Sequence, residues 1–365
     1  MMTPRSRTHR SRYTVPITRE RRRSSMRNLR IALIAIVVGL PFALGGCAAE
    51  TPAPAAEEAA VDAAGPRDPF VGTYELIGRN VKDENGEYVP VEDFNSLGYI
   101  TYSDRGYMAV NVMPLDREPF ADGSNPTPEE VQVALQGYTG YYGPFSVHED
   151  EDGGYLIHHR TGQINPGGEV DAKRYYDLVD DKLILTPASD TGMKHDANRQ
   201  VVWQRLPDVE LSEEAQRFLG HRELLYTTRY TVQDGEPVED GERNESRAGS
   251  VILYTPTGHM MVHLMAREGR TPYAGDTPTP EESMAAYRTY GGYFGRFTVH
   301  EDADPIYVVH HQEGRSRPTT GVTDAERLYQ LDGDVLRLGG RPSENEDGDL
   351  AGGHLYWELM PHREE

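Results

Sequence analysis

Gly140-Tyr141-Tyr142-Gly143-Pro144-Phe145-Ser146-Val147-His148-Glu149-Asp150 is answered 152 positions later by Gly292-Tyr293-Phe294-Gly295-Arg296-Phe297-Thr298-Val299-His300-Glu301-Asp302. The same offset relates Tyr102-x₃-Gly106-x-Met108 to Tyr254-x₃-Gly258-x-Met260, Thr127-Pro128-Glu129-Glu130 to Thr279-Pro280-Glu281-Glu282, and His158-His159 to His310-His311. Solenoid repeats run about 20 to 50 residues, so a period this long is a domain written twice.

Within each copy apolar residues alternate at period two between turn signals, the pattern of antiparallel strands. Tyr99-Ile100-Thr101-Tyr102 turns at Ser103-Asp104-Arg105-Gly106 into Tyr107 to Val112, and Val251 to Tyr254 turns at Thr255-Pro256-Thr257-Gly258 into His259 to Val262. Phe145 to His148 pairs with Tyr155 to His159, and further strands run over 174–179, 182–186 and 200–206. One helix interrupts this pattern in each copy. Thr at the N-cap, Pro at N1 and Glu at N3 form a capping box that opens a helix to about Tyr138, with its twin opening at Thr279. Eight or so strands and one short helix in roughly 140 residues predict an all-β fold, two tandem antiparallel up-and-down barrels.

The flanking regions predict an address. Cys47 is the single cysteine of 365 residues and closes an apolar run from Ile31 to Leu44 that follows Arg27 and Arg30. That order resembles a bacterial lipoprotein signal, with Cys47 the acylated first residue of the mature chain. The apolar stretch is short of the roughly 20 residues that a membrane span needs. The expected organisation is an extension upstream of Met26 (1–25), a signal peptide (26–46), an anchor and Ala/Pro/Glu-rich tether (47–66), a first domain (67–207), a linker helix (208–217) and a second domain (218–365). By resemblance to lipoprotein sorting in Gram-negative cells, Ala48 rather than Asp after the cysteine implies an outer-membrane location facing the periplasm.

Residues 1–46 hold ten of the 37 basic and one of the 59 acidic side chains, which leaves 27 against 58 in the mature chain, a net of −31. Nucleic acid and bare anionic lipid call for basic surfaces and are poor partners for such a chain. With no second cysteine, each domain is held by its apolar core and not by disulfides.

Gly98-Tyr99-Ile100-x-Tyr102-x₃-Gly106-Tyr107-Met108, the Thr-Pro-Glu-Glu helix leading to Gly137-Tyr138-x-Gly140-Tyr141-x-Gly143, the His158-His159 strand, Arg174-Tyr175-Tyr176-Asp177-Leu178 and Val202-Trp203-Gln204-Arg205-Leu206 together resemble the bacterial and fungal lipocalin-like domain family. The resemblance spans nearly all of 70–207 and 218–361 and implies small β-barrels with an internal cavity. Where lipocalins proper open with Gly-x-Trp, this chain has Gly72-Thr73-Tyr74 and Gly220-His221-Arg222, so an aromatic floor is expected in the first copy only.

The expected function is therefore binding or carriage of a small hydrophobic or amphipathic molecule, with no cofactor and no metal. The aromatic and methionine set offers apolar walls with a few polar groups, the usual make-up of a ligand pocket. Its members are Tyr102, Met108, Tyr138, Tyr142, Tyr176 and Trp203, echoed by Tyr254, Met260, Tyr290, Phe294, Tyr329 and Trp357. Arg174 and Arg327 precede the Tyr-bearing strand and suit a ligand carboxylate. Grouping Phe145 and Val147 with Tyr155, Ile157 and His159 places His159, and likewise His311, on the inner face, with His158 and His310 outside. Inward histidines beside tyrosines suggest a second reading, a cofactor-free isomerase, cyclase or dehydratase. A third is a purely structural envelope module. The alternation splits His148, Glu149, His158 and His159 between two faces, which disfavours a zinc site, and no nucleophile triad stands out in the sequence.

Overall fold

The computed structural model describes residues 65–319 and 323–364. The predicted extension, signal peptide and acylated Cys47, with nearly all of the tether, lie outside the described residues. Two antiparallel sheets of ten strands account for almost everything else. In the first, eight strands follow one another as a meander: β1 (Gly72–Lys82), β2 (Ser96–Tyr102), β3 (Tyr107–Pro114), β4 (Thr139–Asp150), β5 (Gly153–His159), β6 (Asp171–Val179), β7 (Lys182–Pro187) and β8 (Arg199–Arg205). Pairing of β1 with β8 closes the barrel. The second repeats the plan with β9 (Gly220–Gln233), β10 (Val251–Tyr254), β11 (His259–Met265), β12 (Tyr290–His300), β13 (Tyr307–Arg315), β14 (Asp324–Asp332), β15 (Val335–Gly339) and β16 (Leu350–Leu359), closed by β9 on β16. Each closing pair carries a register shift at the same place, between Leu76 and Gly78 and between Leu224 and Tyr226. An extra residue there increases the local twist that a closed sheet needs.

Two helices are built as the capping boxes predicted. Thr127 Oγ1 accepts from Glu130 N and Glu130 Oε2 accepts from Thr127 N at 2.8 Å, opening α1 (Pro128–Leu135). It stops short of Tyr138 because Gly137 turns the chain at φ +75°. The short α2 (Glu213–Gln216) lies in the linker, and α3 (Pro280–Thr289) repeats the capping box of α1. Neither α1 nor α3 covers a barrel alone. They pack on one another, with Val131 buried against Met284 and Tyr287, and clasp the two barrels together.

One end of each barrel is stopped by a phenylalanine from the segment before the first strand. Phe70 packs on Tyr102 and Tyr176, and Phe218 on Tyr254, Phe297 and Tyr329. Tyr74 stands in the floor of the first barrel as expected. It is fully buried, donates to Phe70 O and accepts from Arg205 Nη2. In the second barrel Arg222 holds that place and donates to the Asp334 and Arg217 carbonyls.

Between the barrels lies an apolar seam of Tyr99, Ala109 and Tyr142 against Val251, Leu253, Met261 and Phe294. Beside it runs a buried polar chain: Tyr138 Oη donates to Asn111 Oδ1 (2.8 Å), Asn111 Nδ2 donates to His263 Nε2 (3.1 Å), and His263 Nδ1 meets Tyr290 Oη (2.6 Å). Asn111 and His263 are repeat-equivalent positions, so the chain crosses the pseudo-two-fold relation between the copies. Arg117 donates to the Arg315 and Ser316 carbonyls, and Arg270 returns the contact to Gln163 and Ile164. Removing one partner of a buried hydrogen bond leaves the other unsatisfied. Asn111→Leu and His263→Leu are each expected to cost about 2–3 kcal/mol, while the double variant costs clearly less than their sum. Urea unfolding of the four proteins measures both quantities.

Candidate functional site

Strand register decides what each barrel holds inside. Asp150 pairs with Gly153 across a two-residue turn, and this offset sets Phe145 opposite His158 and Val147 opposite Leu156. Residues directly opposite share a face. His158 is therefore the inward histidine, with none of its surface exposed, and His159 points outward. The second copy has the same register, with Phe297 opposite His310 and Val299 opposite Val308. The inner-face assignment of His159 and His311 is corrected to His158 and His310. Tyr155 and Ile157 look more apolar than Gly154, Leu156 and His158, so apolarity alone picks the wrong alternating set.

Each buried imidazole is held by two tyrosines. His158 Nε2 meets Tyr102 Oη at 2.8 Å and Nδ1 meets Tyr141 Oη at 3.0 Å. His310 meets Tyr254 Oη at 2.8 Å and Tyr293 Oη at 2.9 Å in the same way. Burial, then the nearby Arg174 and Arg160 guanidiniums, hold the basicity of His158 well below the ordinary imidazole range. His310 falls to about 3 through burial and Arg327. Both rings are neutral, and burial keeps Tyr102 and Tyr254 protonated.

Outside, the structure assembles something the sequence did not announce. His159 Nδ1 contacts Asp171 Oδ1 at 2.8 Å while its Nε2 contacts Ser146 Oγ at 2.8 Å, and Thr298, His311 and Asp324 repeat the arrangement. The connectivity is that of a nucleophile relay. Acyl transfer also needs donors preorganised at the oxyanion and exclusion of water. These side chains line up along a sheet face, with the Asp171 side chain 63% exposed and Ser146 shared with His148. The pattern reads as a cross-strand ladder.

The first barrel contains a cavity of about 320 Å³ at the end away from Phe70. Its apolar wall includes Leu76, Ile100, Val110, Leu185 and Trp203, and its polar groups include Tyr141 and Arg160. Of the predicted ligand residues, Trp203 and Arg174 line it. Tyr102, Met108 and Tyr176 sit in the core of the same barrel. Tyr254, Met260, Tyr329 and Trp357 belong to the second core, and Arg327 lies beside His310 and Tyr293. Besides the outward His159 and His311, four predicted residues are not inside a barrel. Tyr138, Tyr142, Tyr290 and Phe294 are buried between the barrels, because the outer face of β4 and β12 is covered by the other copy. Sequence reasoning missed Tyr141 and Arg160; both follow from the correct parity, since Arg160 lies two residues beyond His158 and Tyr141 pairs with Val110.

The interiors differ in their side chains. Val112 and Val201 of the first cavity correspond to Leu264 and Leu355, whose larger side chains pack on the second core. The glycines of the repeated motif serve both barrels alike: at Gly143 and Gly295, φ is +156° and +153°, and a Cβ would strike the carbonyl of His159 or His311.

No curated protein matches this sequence. Among solved structures, a protein of unknown function from the DUF3598 family of Nostoc punctiforme PCC 73102 is 9% identical, with 80% of this chain and 96% of that one covered at a TM-score of 0.19. A bifunctional dehydratase-cyclase domain from ambruticin biosynthesis is 8% identical, with 80% and 75% covered at a TM-score of 0.10. Scores this low carry no argument. A family model described as the lipocalin-like domain matches residues 71–206 and again 246–359. The first match spans the whole first barrel and the second spans β10 to β16 of the second, which makes this chain a member of the lipocalin-like domain family in tandem form.

Proposed function

We propose that this protein is an envelope lipoprotein that binds a small hydrophobic or amphipathic molecule inside its first barrel. The observation that carries the binding reading is the cavity of about 320 Å³ within the closed first sheet, walled on one part by aliphatic side chains and Trp203 and on the other by Arg79, Arg160, Arg174, Arg199 and Tyr141. Its volume lies at the low end of ligand pockets, roughly 300–1,000 Å³. The second barrel, with leucines in place of the cavity valines, supports the first as a packed partner. The order of basic residues, apolar run and Cys47 supports acylation of that cysteine, and stable attachment needs more than one acyl chain.

Native mass spectrometry of residues 48–365, secreted without the anchor and purified gently, should show a discrete added mass of a few hundred daltons that is lost on denaturation. A bare polypeptide mass, together with no uptake from a panel of amphipaths, would remove the carrier reading. Cys47→Ala should move the full-length protein from the membrane to the soluble fraction, and retention on the membrane would remove the anchor.

A further inference from the structure

The cavity is out of keeping with the chain around it. The protein carries 59 acidic against 37 basic side chains, yet the first cavity is lined by Arg79, Arg160, Arg174 and Arg199 and by no aspartate or glutamate. Register explains how they come to face inward. Arg79 pairs with Val201, Arg199 lies two residues before it on the same strand, and Arg174 pairs with Leu156. Among the described residues Arg79, Arg174 and Arg199 have no ion-pair partner; Arg79 and Arg199 are exposed at the cavity mouth, and Arg174 is the half-buried one. Arg160 is held loosely, by a 3.8 Å ion pair with Glu169 and donations from Nη1 to Glu169 O at 3.2 Å and Gln163 Oε1 at 3.4 Å, and it lies over the Tyr141 ring at 4.3 Å.

Two buried donors in the same wall are left without acceptors. Arg160 Nε is buried and unpaired, and Trp203, 3% exposed, has an indole N–H without a hydrogen-bond partner, a feature that its counterpart Trp357 shares in the second barrel. Native interiors pair such groups, so an unpaired buried donor beside a cavity calls for an acceptor from outside the chain. The histidine cluster adds a third donor. A neutral imidazole offers one donor and one acceptor. Between Tyr102 and Tyr141 it therefore leaves one hydroxyl proton unused, and Tyr141 is the one of the pair that lines the cavity.

The second copy serves as an internal comparison. Arg174 is kept as Arg327, but the positions of Arg79, Arg160 and Arg199 hold Thr227, Gln312 and Gly353, while Gln163 becomes Arg315. The excess of unpaired cations belongs to the barrel that holds the cavity.

We infer that the first barrel selects an anionic amphipath, a short-chain molecule ending in a carboxylate, with its apolar part between Leu76, Ile100 and Leu185 and its carboxylate against Arg160, Arg174 and the Trp203 indole N–H. The inference rests on the binding reading above and adds the charge of the ligand. Guanidinium–carboxylate bonds are roughly twice as strong as neutral ones, so charge and not chain length dominates the preference.

The chain's two tryptophans allow a direct test. In Trp357→Phe, Trp203 is the sole tryptophan and sits in the cavity wall. Titration with octanoate and with 1-octanol, followed by Trp203 fluorescence and checked by calorimetry on the wild type, should show octanoate bound at least about tenfold more tightly. Arg160→Gln, which installs the residue native to the second copy, and Arg174→Gln should each weaken octanoate about tenfold and leave 1-octanol unchanged. Equal affinity for the two probes, or indifference of octanoate to both substitutions in proteins with unaltered circular dichroism, overturns the anion selectivity while the pocket stands. A saturable response to neither probe overturns the binding reading itself.

Discussion

Acidification from pH 7.5 to 5 should strip the folded barrels of several kcal/mol, far above the pH at which ordinary carboxylates titrate. His158, His221, His263 and His310 are fully enclosed, and burial lowers the basicity of each; for His221, His263 and His310 the folded value is about 3. An imidazole in the unfolded chain titrates near 6.5. Below that pH the unfolded state takes up protons that the native state refuses. The stabilising contribution is therefore whole above about 6.5 and declines as pH falls towards about 3. At pH 5 each of the three with a folded value of about 3 costs about 2 kcal/mol, His158 adds a loss of the same sign, and together these are comparable with the stability of a typical domain, roughly 5–15 kcal/mol. Relief of self-repulsion in this acidic chain opposes the loss, but exposed charges are screened by salt. Urea midpoints at pH 7.5 and pH 5 in 0.15 M salt measure the difference. A midpoint that holds or rises in acid would mean that the buried rings accept protons in the native state.

Two histidines that are neighbours in sequence should respond very unequally to the same change. His158→Ala removes an imidazole that satisfies Tyr102 and Tyr141 and leaves a void in a filled core. Cavity formation and two orphaned hydroxyls together cost about 3–5 kcal/mol. His159→Ala loses a partly exposed contact with Asp171 and Ser146 and should cost no more than about 1 kcal/mol. His310→Ala and His311→Ala should repeat the contrast in the second barrel. Thermal and urea unfolding of the four variants measures it, and equal or reversed losses would return His159 and His311 to the inner face. Octanoate titration of the His159 variant bears on the catalytic reading as well, because an outward residue should leave binding in the first barrel untouched.

Much of this architecture could be read before any coordinates. The duplication, the meander of short strands and the capping boxes at Thr127 and Thr279 depend on local signals: period-two alternation, turn residues and an N-cap with its N3 glutamate. Each involves residues within a few positions of one another. The candidate site was only partly readable for the opposite reason. A strand's inner face depends on pairing across a turn, and a single-residue error in that offset exchanges all its side chains. Apolarity alone points to His159 where the register selects His158, and it hides Arg160 and Tyr141 in the same way.

The tyrosines show the same limit at longer range. Tyr138, Tyr142, Tyr290 and Phe294 are as buried as any core residue, and from sequence a buried aromatic reads the same whether it faces a ligand, its own barrel or a second barrel. By itself the sequence determined that there are two similar barrels, what strands and helices build them, and that the chain is strongly acidic. Only the tertiary structure decided which alternating set lines each interior, that α1 and α3 join the barrels, and that the unpaired arginines of an acidic protein gather around the cavity of the first. Local composition sets propensity and periodicity, whereas burial, register and the meeting of distant cations depend on contacts between residues far apart in the chain.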